Sequence, residues 1–482
     1  MNSPIRRLTL ALLIGFCLLL VNVTYIQALA TDRYRDDPRN ARVQLARSER
    51  ERGLILDRND VVLATSEAQA GAGTFVRTYP FGGLLGHPVG FSSLLFGDRG
   101  LEQAYANDLR SKQDLTISNV IAGVLGNDLH PENIRLTIDV ALQRAASEAL
   151  AGQIGAVVAL DPSTGAILAY VSSPGFDPSV LVGATAGPAG DALDADPDEP
   201  LRDRVVNELY PPGSIFKIIT AAAALEFGEM TVDSTFANPA SLALPGSEST
   251  ISNANGRPCG SGSEVTLGRG FISSCNTTFA QAAMEIGADA LKSQAENFGF
   301  GAEIPFTFPV IPSNFSPVDL SEDLPALAQS AIGQRDVRVT PLHMALMAAG
   351  IANGGQIMVP YLVADIVDGD GKVVSSTEPA VWRRAVNEAT AAILLELMVE
   401  TVDSGTGTNA RIDGIRVAGK TGTAENPGQP PHAWFVGFAP ADQPTIAIAV
   451  IVEFGGVQGD EASGGRTAAP IAKQTLERWL KP

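Results

Sequence analysis

Three short polar motifs stand in a fixed order along this chain: Ser214-Ile-Phe-Lys217, Ser274-Cys-Asn276 and Lys420-Thr421-Gly422-Thr423. If they belong to one site, the fold must bring three distant stretches together, which excludes any architecture built only from local contacts. Each motif has an ordinary reading in isolation. The first is a helix N-cap followed by a solvated lysine. The second is a turn with a side chain bonded to its own backbone. The third is an edge strand with polar residues. The ordered set is what carries information.

Read together, the motifs supply an activated serine, a proton relay and an anion clamp. Pro211, Pro212 and Gly213 end a loop, and the alanine-rich run over 218–225 predicts a helix, so Ser214 falls at a helix start. Positions i and i+3 share a helix face, which brings the Lys217 amine beside the Ser214 hydroxyl. Serine is a weak nucleophile until a base takes its proton. A lysine serves as that base when burial and a nearby cation lower its pKa. In the second motif, the Ser274 hydroxyl is placed to pass a proton toward a leaving amine. The Asn276 amide both donates and accepts, so it can hold a peptide and the lysine. The third motif is predicted on a strand. Lys420 supplies positive charge, Thr421 and Thr423 supply hydroxyls for a carboxylate, and Gly422 removes a side chain where a substrate would lie. Backbone N–H groups of Ser214 and Thr423 are the expected oxyanion donors, about 3–4 kcal/mol each in comparable sites.

The 482 residues exceed one ordinary domain and suggest two or three. With 45% hydrophobic and 18% charged residues, the chain can bury a sizeable core. A formal net charge of −19 argues against nucleic acid as a partner. After Arg6 and Arg7, no charge occurs over residues 8–31. As a helix that run reaches about 36 Å, enough for a hydrocarbon core of ~30 Å. The two arginines would stay in the cytoplasm and the rest would be exported. The competing reading is a cleaved signal peptide, since Ala28-Leu29-Ala30 fits a cleavage site; its apolar region is ordinarily only ~7–15 residues. Both readings export the remainder. Of three cysteines, Cys17 lies in the apolar run, and Cys259 and Cys275 lie beyond it. These two either bridge or remain as two buried thiols, and spacing does not decide. The four histidines show no metal-ligand spacing, and no metal or cofactor is expected.

Along the chain, residues 32–58 are expected to begin as a juxtamembrane helix, and residues 54–64 read as a hairpin around Asp57-Arg58-Asn59-Asp60. Residues 71–97 read as loops and short strands, and residues 101–111 as a helix. A helix is predicted over 140–150, capped by Asp139. Residues 155–160 and 166–172 form a second hairpin around Asp161-Pro-Ser-Thr-Gly165. Residues 183–200, rich in Ala, Gly, Asp and Pro, read as a mobile acidic loop. Residues 417–424, 433–439 and 445–453 read as strands, the last continuous enough to be buried on both faces. A helix is expected over 467–480. Strands at both ends with helices between imply one sheet closed by distant parts of the chain, an α/β or α+β layer architecture.

The three motifs resemble those of the penicillin-binding protein family. The similarity extends further. Arg52-Gly-Leu-Ile-Leu-Asp-Arg58 resembles the R-G-x-I-x-D-R element of class B members, and Gly100-Leu-Glu102 their G-[LI]-E element. Leu160-Asp-Pro-Ser-Thr-Gly165, Ile332-Gly-Gln334 and Thr340-Pro341 also match. One departure is Asn59-Asp60, where the family often has a residue followed by Gly. The resemblance implies an α+β protein of three parts: a tip and membrane anchor at 1–31, an elongated pedestal at 32–152, and a transpeptidase domain at 153–482. That last domain would hold a mainly antiparallel five-stranded sheet between helical layers. The implied reaction is D,D-transpeptidation, cross-linking peptidoglycan stem peptides through a Ser214 acyl-enzyme that β-lactams also form. The implied residues are Ser214, Lys217, Ser274, Asn276 and Lys420 for catalysis, and Thr421, Gly422 and Thr423 for substrate. About 120 residues between anchor and catalytic domain are too few for a glycosyltransferase domain. A membrane-embedded glycan polymerase is therefore the implied partner. The alternatives are a D,D-carboxypeptidase, a serine β-lactamase, and a low-turnover scaffold or β-lactam sensor. Cys275 stands where class A β-lactamases usually have Asp, which leans away from that class.

Overall fold

The computed structural model describes residues 2–28, 30, 48–69, 71, 73–110, 130–183 and 185–481. The expected juxtamembrane helix falls largely on residues outside this set. The helix Asn2–Ala28 carries the uncharged run, and an 18-residue window within Ser3–Ala28 has a mean hydropathy of 2.3 with none of it buried. It is long and apolar enough to cross a membrane.

Two sheets organise the rest. The first runs in the order Val373–Ser376, Val363–Val367, Asn133–Leu136, Ile55–Leu56, Val62–Ala68, Phe75–Thr78. Only Ile55–Leu56 beside Asn133–Leu136 is a parallel pair. Its first two strands come from far along the chain, so the sheet is closed by a remote hairpin. The predicted turn at 57–60 is present, and the buried Asp57 holds it. Asp57 Oδ1 accepts from the N–H groups of Asn59 (2.7 Å) and Val61 (2.9 Å). Asp60 adopts φ 63°, the left-handed conformation that the family's glycine would suit and that Asp tolerates better than most residues.

The two family-like elements near the N-terminus meet in one ion cluster. Glu102 is fully buried and accepts from Arg52 Nε at 2.5 Å and Arg77 Nε at 2.6 Å. Arg52 also donates to the Glu102 carbonyl, and the Tyr79 hydroxyl donates to Glu102 Oε1 at 3.3 Å. The helix expected over 101–111 is broken at Tyr105 into Leu101–Ala104 and Ala106–Leu109, and Ser111 lies outside the described residues.

The second sheet has five strands, all antiparallel, in the order Ala418–Asn426, Gln429–Ala439, Ile446–Val452, Gly155–Leu160, Ile167–Ser173. The central strand Ile446–Val452 is buried along its whole length. Ile446, Ile448, Val450 and Val452 enter one core with the helices Val140–Leu150 and Ala469–Leu480. Ala447, Ala449 and Ile451 enter the other core. There the helix Pro341–Ala352, apolar nearly all round, covers the sheet. Helices therefore lie on both faces, as the sequence pattern implied. Asp139 caps the helix Val140–Leu150 by accepting from the Leu142 N–H at 2.9 Å.

One expectation is corrected. The acidic stretch after residue 183 is not wholly loop: Ala186–Asp194 is a helix. Its packing face combines Ala186, Gly190 and the half-buried Leu193. A β-carbon at Gly190 would lie 2.5 Å from the Phe96 ring, and one at Gly187 3.6 Å from Leu95. The contact rests largely on small residues, which hydrophobic periodicity registers only weakly.

The ion cluster yields a prediction. Removing one partner of a buried pair strands the other charge, at a cost of about 3–5 kcal/mol. Glu102→Ala should therefore lower the unfolding midpoint and open the segment around 52–110 to limited proteolysis. Wild-type protease resistance in the variant would show that the cluster does not hold this region.

Candidate active site

Ser214 sits in the 3-10 turn Gly213–Phe216, which runs directly into the helix Lys217–Phe227. The turn is pressed onto the strand Ala418–Asn426. Gly213, at φ 54°, has no room for a side chain: a β-carbon would lie 2.5 Å from the Thr423 carbonyl oxygen. Its N–H donates to the Gly333 carbonyl at 2.9 Å. Trp434 Nε1 donates to the Pro211 carbonyl at 3.0 Å, and Tyr210 exchanges two backbone hydrogen bonds with Val339, both 2.9 Å. The turn that carries Ser214 is thus held from three sides, while Ser214 itself stays partly accessible.

The second motif forms the turn between the helices Leu267–Ile272 and Asn276–Ile286, with Ser274 at φ 59°. Cys275 is disulfide-bonded to Cys259, which resolves the open cysteine question in favour of the bridge. The buried Asn253 adds a second tie by accepting the Thr277 N–H at 3.1 Å.

The three motifs converge. Lys217 Nζ lies 3.0 Å from Ser214 Oγ, 2.6 Å from Asn276 Oδ1, 2.6 Å from the Ser274 carbonyl oxygen and 3.4 Å from Ser274 Oγ. Lys420 Nζ donates to Ser274 Oγ at 2.8 Å and to the Thr421 carbonyl at 3.1 Å. Asn276 Nδ2 donates to the Ser252 carbonyl at 2.8 Å, which fixes the amide with its oxygen toward the lysine. Both lysines are fully buried. The reading of Lys217 as a solvated helix residue is thereby overturned.

Burial, with the Lys420 charge second, pushes the Lys217 ammonium well below its ordinary range. Burial pulls Lys420 down to about 7. The neighbours of Lys217 suit a neutral amine. Two acceptors, the Ser274 carbonyl and Asn276 Oδ1, take its two N–H bonds. In that neutral state the remaining lone pair would face the Ser214 hydroxyl, which could then donate to it. Ser274 Oγ accepts from Lys420, so its own O–H is free for another group.

The third motif divides between the two faces of its strand. Gly422 shares a face with Lys420. A β-carbon there would lie 2.8 Å from the Pro212 carbonyl oxygen and 3.0 Å from Ile215 Cγ2. The glycine therefore seats the nucleophile's turn against the strand, a different reason from the substrate clearance expected from sequence. Thr423 Oγ1 accepts the Gly464 N–H at 3.3 Å, and Thr421 Oγ1 lies 2.6 Å from Thr406 Oγ1. Ser252, Asn253 and Thr406 were not singled out in the sequence, because their link to the motifs is made only by folding. Gly333 had surfaced solely within the Ile332-Gly-Gln334 resemblance.

This arrangement defines a serine–lysine acyl-transfer site on an α+β fold. Residues 155–477 match the penicillin binding protein transpeptidase domain, and residues 52–134 match the penicillin binding protein A dimerisation domain. The chain is 40% identical to the peptidoglycan D,D-transpeptidase PbpA of Mycolicibacterium smegmatis, over 100% of this chain and 99% of that one. It is equally similar to PbpA of Mycobacterium tuberculosis, with the same coverage. The structure of penicillin-binding protein A from M. tuberculosis as its ceftriaxone acyl-enzyme superposes with a TM-score of 0.85 at 39% identity, covering 90% of this chain and 100% of that one. The chain belongs to the penicillin-binding protein family, as the three motifs implied.

The buried lysines predict a pH effect on stability. An unfolded lysine holds its proton to about 10.4, whereas folded Lys420 releases it above about 7. The unfolded state binds more protons in that window, so this group makes stability rise with pH from about 7 to about 10. Lys420→Met removes the effect. The variant should melt above wild type near pH 7.5, by roughly 2 °C or more, and the gap should close toward pH 10. A gap that stays constant with pH would contradict this titration.

Proposed function

We propose that this chain is a membrane-anchored peptidoglycan D,D-transpeptidase that works through an acyl-enzyme on Ser214. The observation that carries the reading is the buried Lys217 amine, bonded to the Ser214 hydroxyl and crowded by a second buried lysine. Its support from relatives is that proteins 40% identical are peptidoglycan D,D-transpeptidases. Structural neighbours include penicillin-binding protein A acyl-enzymes with ceftriaxone, imipenem and penicillin G.

In this reading, Ser214 Oγ attacks the carbonyl carbon of a D-Ala-D-Ala bond, and its proton passes to Lys217 Nζ. The N–H groups of Ser214 and Thr423 hold the oxyanion. The C–N bond breaks as Ser274 gives its proton to the leaving D-Ala amine and regains one from Lys217. Asn276 orients Lys217 and the peptide. An amine from a neighbouring stem then attacks the ester, and its proton returns through Lys217 to Ser214. Lys420, Thr421 and Thr423 bind the donor's terminal carboxylate, and Gly422 keeps the turn seated. A β-lactam ring opens by the same attack and leaves a stable ester.

The organisation we propose is a cytoplasmic tip and anchor at 1–31, a pedestal at 32–152 and a transpeptidase domain at 153–482, with everything beyond the anchor extracytoplasmic. The strands Val363–Val367 and Val373–Ser376 would be lent by the last part to the pedestal's sheet. A membrane-embedded glycan polymerase is the partner implied by the resemblance. A positive-inside orientation follows from Arg6 and Arg7.

The test is intact mass of the full chain in detergent after incubation with benzylpenicillin. Wild type should carry one stable adduct, and Ser214→Ala and Lys217→Ala none. Normal acylation of Lys217→Ala would remove the base assignment. No adduct with hydrolysed drug would indicate a β-lactamase, and no adduct with intact drug a scaffold. A second prediction concerns pH. Lys420 lowers the Lys217 pKa, so the acid limb of the acylation rate should move to higher pH in Lys420→Ala. An unmoved limb would uncouple the two lysines.

A further inference from the structure

Thr406 lies on the short loop after the helix Glu388–Asp403, outside all three motifs. Its Oγ1 is 2.6 Å from Oγ1 of Thr421. Thr421 is buried and Thr406 is exposed, so the pair runs from the interior of the third motif to its rim. The loop is built tightly. The N–H groups of Gly405 and Gly407 both donate to the Thr401 carbonyl, at 3.1 and 2.9 Å. A β-carbon at Gly405 would lie 2.4 Å from the Ile272 carbonyl oxygen, two residues before Ser274. One at Gly465 would lie 2.4 Å from the Thr406 carbonyl oxygen, and Asn409 Nδ2 donates to the Gly465 carbonyl at 2.8 Å. Thr406 is therefore wedged between the second motif and the segment that backs the third.

We infer that Thr406 is a positioning residue for the substrate's terminal carboxylate, acting through Thr421; this rests on the transpeptidase reading above. A hydroxyl has one proton and two acceptor sites. Thr423 already shows how such a hydroxyl is prepared. Its oxygen accepts the Gly464 N–H, which can only donate, and its own proton is left for a ligand. Thr406 does the same for Thr421. A carboxylate only accepts, so its arrival favours the orientation in which Thr406 donates to Thr421 and Thr421 donates to the carboxylate. The two bonds in series polarise one another. The strand Ala418–Asn426 is the edge of its sheet, so a peptide end can lie beside both threonines.

The experiment uses the full chain and two thioester probes, N-benzoyl-D-alanyl-thioglycolate and the same compound with its carboxylate converted to a carboxamide. The quantity read is the ratio of kcat/KM for the two. Thr406→Val should lower that ratio by about fivefold, chiefly through KM, the size of one hydrogen bond. Thr406→Ser should restore it. In Thr421→Val, adding Thr406→Val should lower the ratio no further, because the coupling runs through Thr421. A wild-type ratio in Thr406→Val, or equal losses on both probes, would overturn the inference, as would additive losses in the double variant. The benzylpenicillin adduct on wild type separates the two levels. Its absence sinks the transpeptidase reading itself, and its presence with an unmoved ratio sinks only the role of Thr406.

Discussion

Two amines buried around one serine hydroxyl are the constraint on which this structure depends. Lys217 and Lys420 are both fully buried, and among the described residues no carboxylate forms an ion pair with either. Leaving both charged in such a place is costly, and the cheapest relief is to lose a proton. Aromatic faces beside them offset only part of that cost. The Phe279 ring lies 5.8 Å from Lys217 Nζ and the Phe271 ring 5.7 Å from Lys420 Nζ. The remaining partners are carbonyls, an amide and hydroxyls, none of which can give a counter-charge. A neutral amine is therefore favoured by the packing, before any substrate is considered.

Holding two reluctant cations together requires a frame that does not yield. The frame is the five-stranded sheet with cores on both faces, one helix of which, Pro341–Ala352, is buried almost throughout. The nucleophile's turn gains further anchorage through Tyr210. Its hydroxyl donates to Glu453 Oε1 at 2.6 Å, and the same oxygen accepts from Arg204 at 2.9 Å. Glu453 follows directly on the central strand, so the position of Ser214 is referred back to the middle of the sheet.

What the sequence revealed follows the range of the interactions concerned. Ser214 and Lys217 are one helical turn apart, so their contact was legible from spacing. Four strands of the five-stranded sheet were legible because each contains a continuous apolar run, whereas Ala418–Asn426 has none and was placed as a strand together with the third motif. The convergence of Ser274, Asn276 and Lys420 was legible only as an ordered set and through resemblance. Less was readable where a contact depends on what a residue lacks. The packed face of Ala186–Asp194 is mostly small residues, Ala186 and Gly190 with a half-buried Leu193, so its hydrophobic period is weak and the segment was read as loop. The closure of the pedestal sheet by Val363–Val367 and Val373–Ser376 was hidden for another reason. The latter strand is exposed throughout and has no apolar alternation to betray its partner. Thr406 was invisible because a threonine between glycines reads as an ordinary turn until the fold sets it against Thr421.

The strand Ala418–Asn426 shows why these pieces cannot be exchanged one at a time. Successive side chains on a strand point to opposite faces. Lys420 and Gly422 therefore face the nucleophile, one supplying charge and the other clearance for Pro212 and Ile215, while Thr421 and Thr423 face the loop of Thr406 and the segment at Gly464. A slip of one residue would carry a threonine into the turn and both glycine and lysine out of the site. Register is fixed by the partner strand. Gly422 stands opposite Trp434, whose indole reaches across to Pro211 beside the nucleophile. The tryptophan that sets the register also holds the serine's turn, so strand pairing and nucleophile placement are one structural decision.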